Sequence, residues 1–164
     1  MMDGAEKKKL KVLITVKTYP IPAAKYGELV CTAGVTEAGD FIRLYPINFR
    51  DLPFSQQYKK YQWIELVAEK YQGRDMSKES YRPDCDSIQI LGEPIPSNPG
   101  NWTERAQYAL AKKARSMEEL NGRREADRTS LGVFRPKKIR KLTISADEPE
   151  WKPEFKDELQ QARL

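Results

Sequence analysis

Short runs rich in apolar and β-branched residues, bounded by proline and glycine turn signals, recur through the first half of the chain, the pattern of buried or half-buried strands. Residues 10–19 (LKVLITVKTY) are rich in Val, Ile and Thr and stop at Pro20, which predicts a first, largely buried strand. Pro20-Ile21-Pro22 forces an extended or turning segment. Residues 28–35 (ELVCTAGV) and 40–47 (DFIRLYPI) predict a second and third strand, joined by Thr36-Glu37-Ala38-Gly39 with a glycine able to take positive φ. Pro46 has no N–H for a ladder, so the third strand is expected to end there or lie on an edge. Pro53, followed by Phe54, Tyr58 and Tyr61, predicts a short helix. Residues 63–70 (WIELVAEK) predict a fourth strand, although Glu and Ala there also permit helix. Residues 72–86 read as a charged loop, 87–91 as a fifth strand, and EPIPSNPG as a connector.

Beyond residue 100 the pattern changes. Asn101 with Glu104 forms a capping box ahead of an apolar stripe of Trp102, Ala106, Ala109, Leu110 and Ala114. Ser116 with Glu119 repeats the pattern for a second short helix, and residues 131–134 and 139–144 predict two closing strands around Pro136. Residues 152–164 begin a last helix, with Phe155 and Leu159 one turn apart and no C-cap. The expected class is α+β: a small curled sheet or pseudo-barrel, PUA- or ASCH-like in shape, with a helical insertion. The ASCH signature itself is absent. The expected organisation is a flexible charged N-terminus over 1–9, a single α+β domain over 10–145, and an acidic tail and helix over 146–164.

Composition narrows the chemistry. The 164 residues contain no histidine, so Ser-His-Asp, Cys-His and HExxH chemistry is excluded within the chain. Cys31 and Cys85 stand far apart without CxxC partners, which reads as two reduced thiols rather than a zinc site. No GxxxxGK[ST] or GxGxxG occurs. A metal-dependent nuclease would need clustered carboxylates with a nearby lysine. Asp84 and the Glu154–Lys156 pair mimic that pattern only across some seventy residues. No catalytic residue, metal or cofactor is therefore assigned. No apolar stretch approaches the ~20 residues of a membrane span, and the charged N-terminus is unlike a signal peptide, so a cytoplasmic location is expected.

The residues CTAGVTEAGDFIRLYPINFR (31–50), RPD (82–84) and SLGVFRP (130–136) resemble an uncharacterised prokaryotic family. The resemblance implies no activity. Family members run longer, with a further C-terminal region, which implies that the last helix of this chain lacks partner contacts.

Charge is unevenly spread. The net charge is +5, with a balance of +7 over residues 102–141, −3 from 142 onward and +1 before 102. The densest run is Arg135, Lys137, Lys138, Arg140 and Lys141, and Lys112, Lys113, Arg115, Arg123, Arg124 and Arg128 extend it. Such clusters favour phosphates, because each neutralised charge releases a condensed counterion. The plainer reading is a solvated face paired to the acidic tail. In the hairpin, period two puts Phe41, Arg43 and Tyr45 on one face and Ile42 and Leu44 on the other. If the aliphatics face the core, an aromatic–Arg–aromatic stripe faces out and can stack on bases. The structural alternative pairs Arg43 with Glu28 or Asp40 across the hairpin. The charged loop from Arg74 to Asp84 is long for a passive connector; one reading makes it the rim of a pocket beside the hairpin, the other a mobile surface loop. The leading expectation is a non-catalytic nucleic-acid-binding module, DNA or RNA, with the basic residues above on phosphates and Arg43, Tyr45, Arg50, Arg74 and Arg82 on a base or strand. The alternative is a subunit of a larger prokaryotic defence or mobile-element complex, docking through residues 151–164 and exposed aromatics.

Overall fold

A ring of strand pairings closes on itself in the computed structural model, which describes residues 6–23, 27–72, 77–97, 102–146, 150 and 152–161. The strands are β1 (Lys7–Lys17), β2 (Ile21–Ala23), β3 (Gly27–Val35), β4 (Phe41–Ile47), β5 (Trp63–Lys70), β6 (Ser80–Pro83) and β7 (Gln89–Leu91). Neighbours run β1-β3-β4-β6-β5, and β5 returns to pair with β1, giving a five-stranded barrel. One edge of β5 is taken along its length by β1, while the other is shared by β6 and β7. The fold is the expected α+β pseudo-barrel with a helical insertion.

The hydrophobic pattern explains the barrel. In β5 the odd positions are half-buried while Ile64, Leu66 and Ala68 turn inward, so the alternation resolves the strand-or-helix ambiguity in favour of strand. Ile42, Leu44 and Ile47 of β4 join them, with Val12, Ile14 and Tyr58, in the core inside the ring. Fully burying each such aliphatic contributes about 1.5–3 kcal/mol. A second, smaller core lies around Leu13, Val35 and Ile95, joined by Phe41, Trp63 and Tyr108. Val12, Leu13 and Ile14 are all inaccessible because β1 is covered on both faces.

Two irregularities shape the ring. Thr15 is an extra residue in β1, since Ile14 opposes Gly34 and Val16 opposes Ala33. There the strands come so close that a Cβ on Gly34 would lie 2.2 Å from the Leu13 carbonyl oxygen. The second lies in β4, where the register steps from Thr32↔Leu44 to Val30↔Ile47. Tyr45 and Pro46 therefore stand together against Cys31, and the proline that cannot donate is held in a bulge. Gly39 takes φ +79° in the β3–β4 turn, as expected from its position.

Other expectations are corrected. The first strand starts at Lys7, inside the stretch read as a charged N-terminus. Pro53 opens no α-helix; two short 3-10 turns, Phe49–Asp51 and Phe54–Gln56, deliver Tyr58 to the core. The charged loop contains a strand, β6, which pairs parallel to β4 and antiparallel to β5. The helices are α1 (Thr103–Ala109), α2 (Met117–Asp127) and α3 (Pro153–Gln161). Asn101, offered as the cap of α1, lies outside the described residues, and Trp102 occupies that place without a side-chain cap. Ser116 does cap α2: its Oγ accepts from the Glu119 N–H at 3.3 Å, while Glu119 Oε2 accepts from the Arg115 N–H. Residues 131–134 and 139–144 form no strands. Phe134 makes only an isolated bridge to Ala114, and 135–146 run exposed without regular structure. β-branched residues make a strand only where an edge offers partners, and closing the ring has used those edges. α3 lies beside β2 and β3.

Candidate functional site

Two depressions meet at the β4–β6 junction. The first is a cleft of about 240 Å³ lined by Arg43, Tyr45, Tyr71, Ser80 and Tyr81. Tyr45 reaches it by the strand's own alternation, 42% exposed while Leu44 beside it is inaccessible, and the bulge at Tyr45–Pro46 shifts the phase so that Ile47 turns back into the core. Ser80 and Tyr81 arrive on β6, opposite Arg43 and Leu44. The charged loop thus supplies two walls of the cleft.

Tyr81 is the hinge between the two depressions. Its ring is buried, with Lys8 Nζ 4.9 Å and Lys70 Nζ 4.7 Å from its centroid. Lys70 also donates to the Ser77 carbonyl at 3.1 Å and to the Lys78 carbonyl, pinning the turn ahead of β6. Loss of hydration at this half-buried position holds the Lys70 ammonium below its usual pKa.

The second depression is a groove of about 830 Å³ between the barrel and the α1–α2 segment. Lys8, Phe41, Lys112, Lys113 and Arg123 contribute to it, together with Asp40, Glu79 and Asp127. Polar ties set its width. Lys112 pairs with Asp40 and Lys78 with Asp127 across it, while Arg123 is held by Glu119 within α2 at 2.5 Å. The Lys78 ion pair and the Thr129 hydroxyl hold the Asp127 carboxyl at a pKa of about 2. Deepest of these ties is Glu79, which is only 4% exposed. Its Oε1 accepts from the Ser130 N–H, from Ser130 Oγ at 2.7 Å and from the Leu131 N–H at 2.7 Å. Its Oε2 is buried with no partner. α1 is fixed separately: Arg105 donates twice to the Ile95 carbonyl, at 2.9 and 2.7 Å, and lies 4.2 Å over Tyr61.

The sixteen residues singled out from the sequence fall into separate places. Arg43 and Tyr45 share the cleft, and Lys112, Lys113 and Arg123 share the groove. Phe41, the third member of the expected outward stripe, instead packs on the outer core, so the stripe is split. Glu28 pairs with Arg50 at 2.6 Å and Asp40 with Lys112, so neither acid is the ion-pair partner expected for Arg43. Arg82 faces Glu69 and lines a different depression with Lys7 and Asp84. Arg124 and Arg128 border a fourth, beside Phe134, while Arg115 is exposed. Arg135, Lys137, Lys138, Arg140 and Lys141 are exposed and line neither the cleft nor the groove. Arg74 lies outside the described residues.

Sequence reasoning missed Tyr71, Tyr81, Lys8 and Glu79. An aromatic beside Pro83 in a charged loop was the available signal for Tyr81. Nothing in the sequence marked Glu79, whose surroundings come from a turn fifty residues away.

Among the described residues, no group of three metal-binding side chains occurs, and no helix is long and apolar enough to cross a membrane. No curated protein and no solved structure matches the chain. Residues 8–111, which take in the barrel strands, both walls of the cleft and α1, match the model of an uncharacterised family described as a domain of unknown function, DUF8758, and the chain belongs to that family.

Proposed function

We propose that this protein is a non-catalytic nucleic-acid-binding module that takes a base or an unpaired strand at the β4–β6 cleft and phosphates along the lysine-lined groove. The observation that carries the reading is the cleft itself. Three tyrosines and an arginine converge on about 240 Å³ without filling it, just below the ~300–1,000 Å³ of drug-sized ligand sites. Stacking on such rings is worth ~1–3 kcal/mol per base and tolerates any sequence. Lys8 and Lys70 beside Tyr81, with Lys112, Lys113 and Arg123 beyond, surround the cleft with positive charge. The exposed run from Arg135 to Lys141 adds sequence-independent attraction to phosphates rather than a shaped contact.

The test is a fluorescent-oligonucleotide titration over several salt concentrations, with single- and double-stranded DNA and RNA. Single strands are expected to bind best, with log K falling at about −0.7 per phosphate contacted against log salt. Tyr45→Ala should weaken binding by ~1–3 kcal/mol at every salt. Affinity that is the same at low and high salt would sink the reading.

A second reading, a docking subunit of a larger assembly, draws on Ile139, Leu142 and Ile144, which are 76, 79 and 85% exposed. Three bare aliphatics in one extended segment are more than a soluble surface needs. Failure to bind any nucleic acid, with a partner retained through residues 135–146, favours it.

A further inference from the structure

We propose that the segment over residues 135–146 is a surface anchor that seats the protein on an anionic lipid interface. Such an anchor is independent of the nucleic-acid reading, since the segment lines neither the cleft nor the groove. Residues 128–146 hold six cations and no acid. Arg135, Lys137, Lys138, Arg140 and Lys141 are exposed, and none of them makes an ion pair among the described residues. In the acidic tail Glu150 is instead taken by Lys156 at 2.6 Å. Among these unneutralised charges stand the bare aliphatics Ile139, Leu142 and Ile144.

Charge and apolar surface together select the partner. The cations alone would suit any polyphosphate, but a nucleic-acid strand leaves three aliphatic side chains in water, which is unfavourable. A shaped protein groove takes apolar side chains at a fixed period. Here there is none. In a strand Ile139 would face away from Leu142 and Ile144, and in a helix Ile144 would face away from Ile139 and Leu142. A fluid interface asks for no period. It accepts each aliphatic where it falls, while lipid phosphates just above accept the cations on either side. The segment contains no buried residue, so its side chains can enter the interface without disturbing the core. It is also held at both ends. The Ala114 N–H donates to the Val133 carbonyl at 2.8 Å ahead of it, and α3 lies beside β2 and β3 behind it. Attachment of this kind is to a surface and needs no spanning helix.

The experiment is co-sedimentation of the full chain with phosphatidylcholine vesicles, with and without phosphatidylserine, over several salt concentrations. Binding is expected only where phosphatidylserine is present, and it should weaken as salt rises. Lys137→Gln and Lys138→Gln should each lower the partition coefficient about fivefold. Ile139→Ser, Leu142→Ser and Ile144→Ser combined should lower it by about tenfold or more and leave oligonucleotide affinity unchanged. All five positions are exposed, so these variants should melt with the wild type. No binding to the phosphatidylserine vesicles, equal binding without phosphatidylserine, or binding that survives loss of the three aliphatics overturns the proposal. It is overturned equally if the triple variant weakens oligonucleotide binding instead, or if the wild type ignores both vesicles yet holds a partner protein through this segment. Vesicle binding by a chain that binds no oligonucleotide upholds the anchor and sinks only the nucleic-acid reading.

Discussion

The barrel and the helical segment that follows it are held by different forces. Inside the ring a dozen buried residues interlock around Leu44, Ile64 and Leu66. Neither α1 nor α2 contains a single buried residue. Tyr108 packs against Trp63 in the outer core and Ala114 is buried, and polar ties complete the placement of the helical segment: Arg105 on the Ile95 carbonyl, Lys112 on Asp40, Lys78 on Asp127 and Glu79 on the Ser130–Leu131 turn. Apolar burial is additive and insensitive to direction, so the barrel is one cooperative unit. Polar ties are few and directional, and each contributes only ~0.5–3 kcal/mol net. The groove between the two regions is therefore expected to open at lower cost than the barrel melts, as the proposed strand-binding role would require.

The largest expected effect strikes the barrel. Leu44→Ala should lower unfolding free energy by about 2–5 kcal/mol, through lost burial and the cavity left behind. Chemical denaturation should show the whole protein losing stability together. If only α1 and α2 lost amide protection, the contrast between the regions would break.

Gly34→Ala comes next. Its methyl would meet the Leu13 carbonyl oxygen, which is backbone and cannot step aside, so a cost of about 1–3 kcal/mol is expected from forced overpacking. A melting temperature equal to the wild type would refute the close approach of β1 and β3.

Arg105→Ala removes both hydrogen bonds to the Ile95 carbonyl and the guanidinium over Tyr61. A loss of about 1–3 kcal/mol is expected, read as faster hydrogen exchange in α1 with the β-strand amides unchanged. Equal loss of protection in the barrel would show the two regions to be a single unit.

The smallest effect sharpens the electrostatic side. Asp127 has its pKa depressed from 3.8 to about 2. Its contribution is therefore complete above about pH 4 and is lost as pH falls toward 2. Asp127→Asn should melt slightly below the wild type at neutral pH, and the gap should close over that acid window. A gap unchanged at pH 2 would remove the ion pair from the account.

Legibility followed the same division. Short runs rich in apolar and β-branched residues between turn signals marked β1, β3, β4 and β5, because such residues pack well on a pleated, buried surface. The β3–β4 turn and the Ser116 cap were also readable, as both are local chemistry. β6 was not, since Ser80, Tyr81 and Pro83 form a strand only between β4 and β5, which come from distant parts of the chain. The reverse error, two strands over 131–134 and 139–144, came from reading β-branched residues without knowing that the ring was already closed.

By itself the sequence determined the strand-rich barrel, its hairpin, its basic second half and the absence of histidine chemistry, all consequences of residue type and short-range spacing. Only the tertiary structure decided that Tyr45 meets Tyr71 and Tyr81, that Arg43 and the Arg135–Lys141 run do not share a cleft, and that Glu79 is buried with one oxygen unmet. Those facts depend on contacts between segments tens of residues apart, and local pattern carries no information about which distant backbone will arrive.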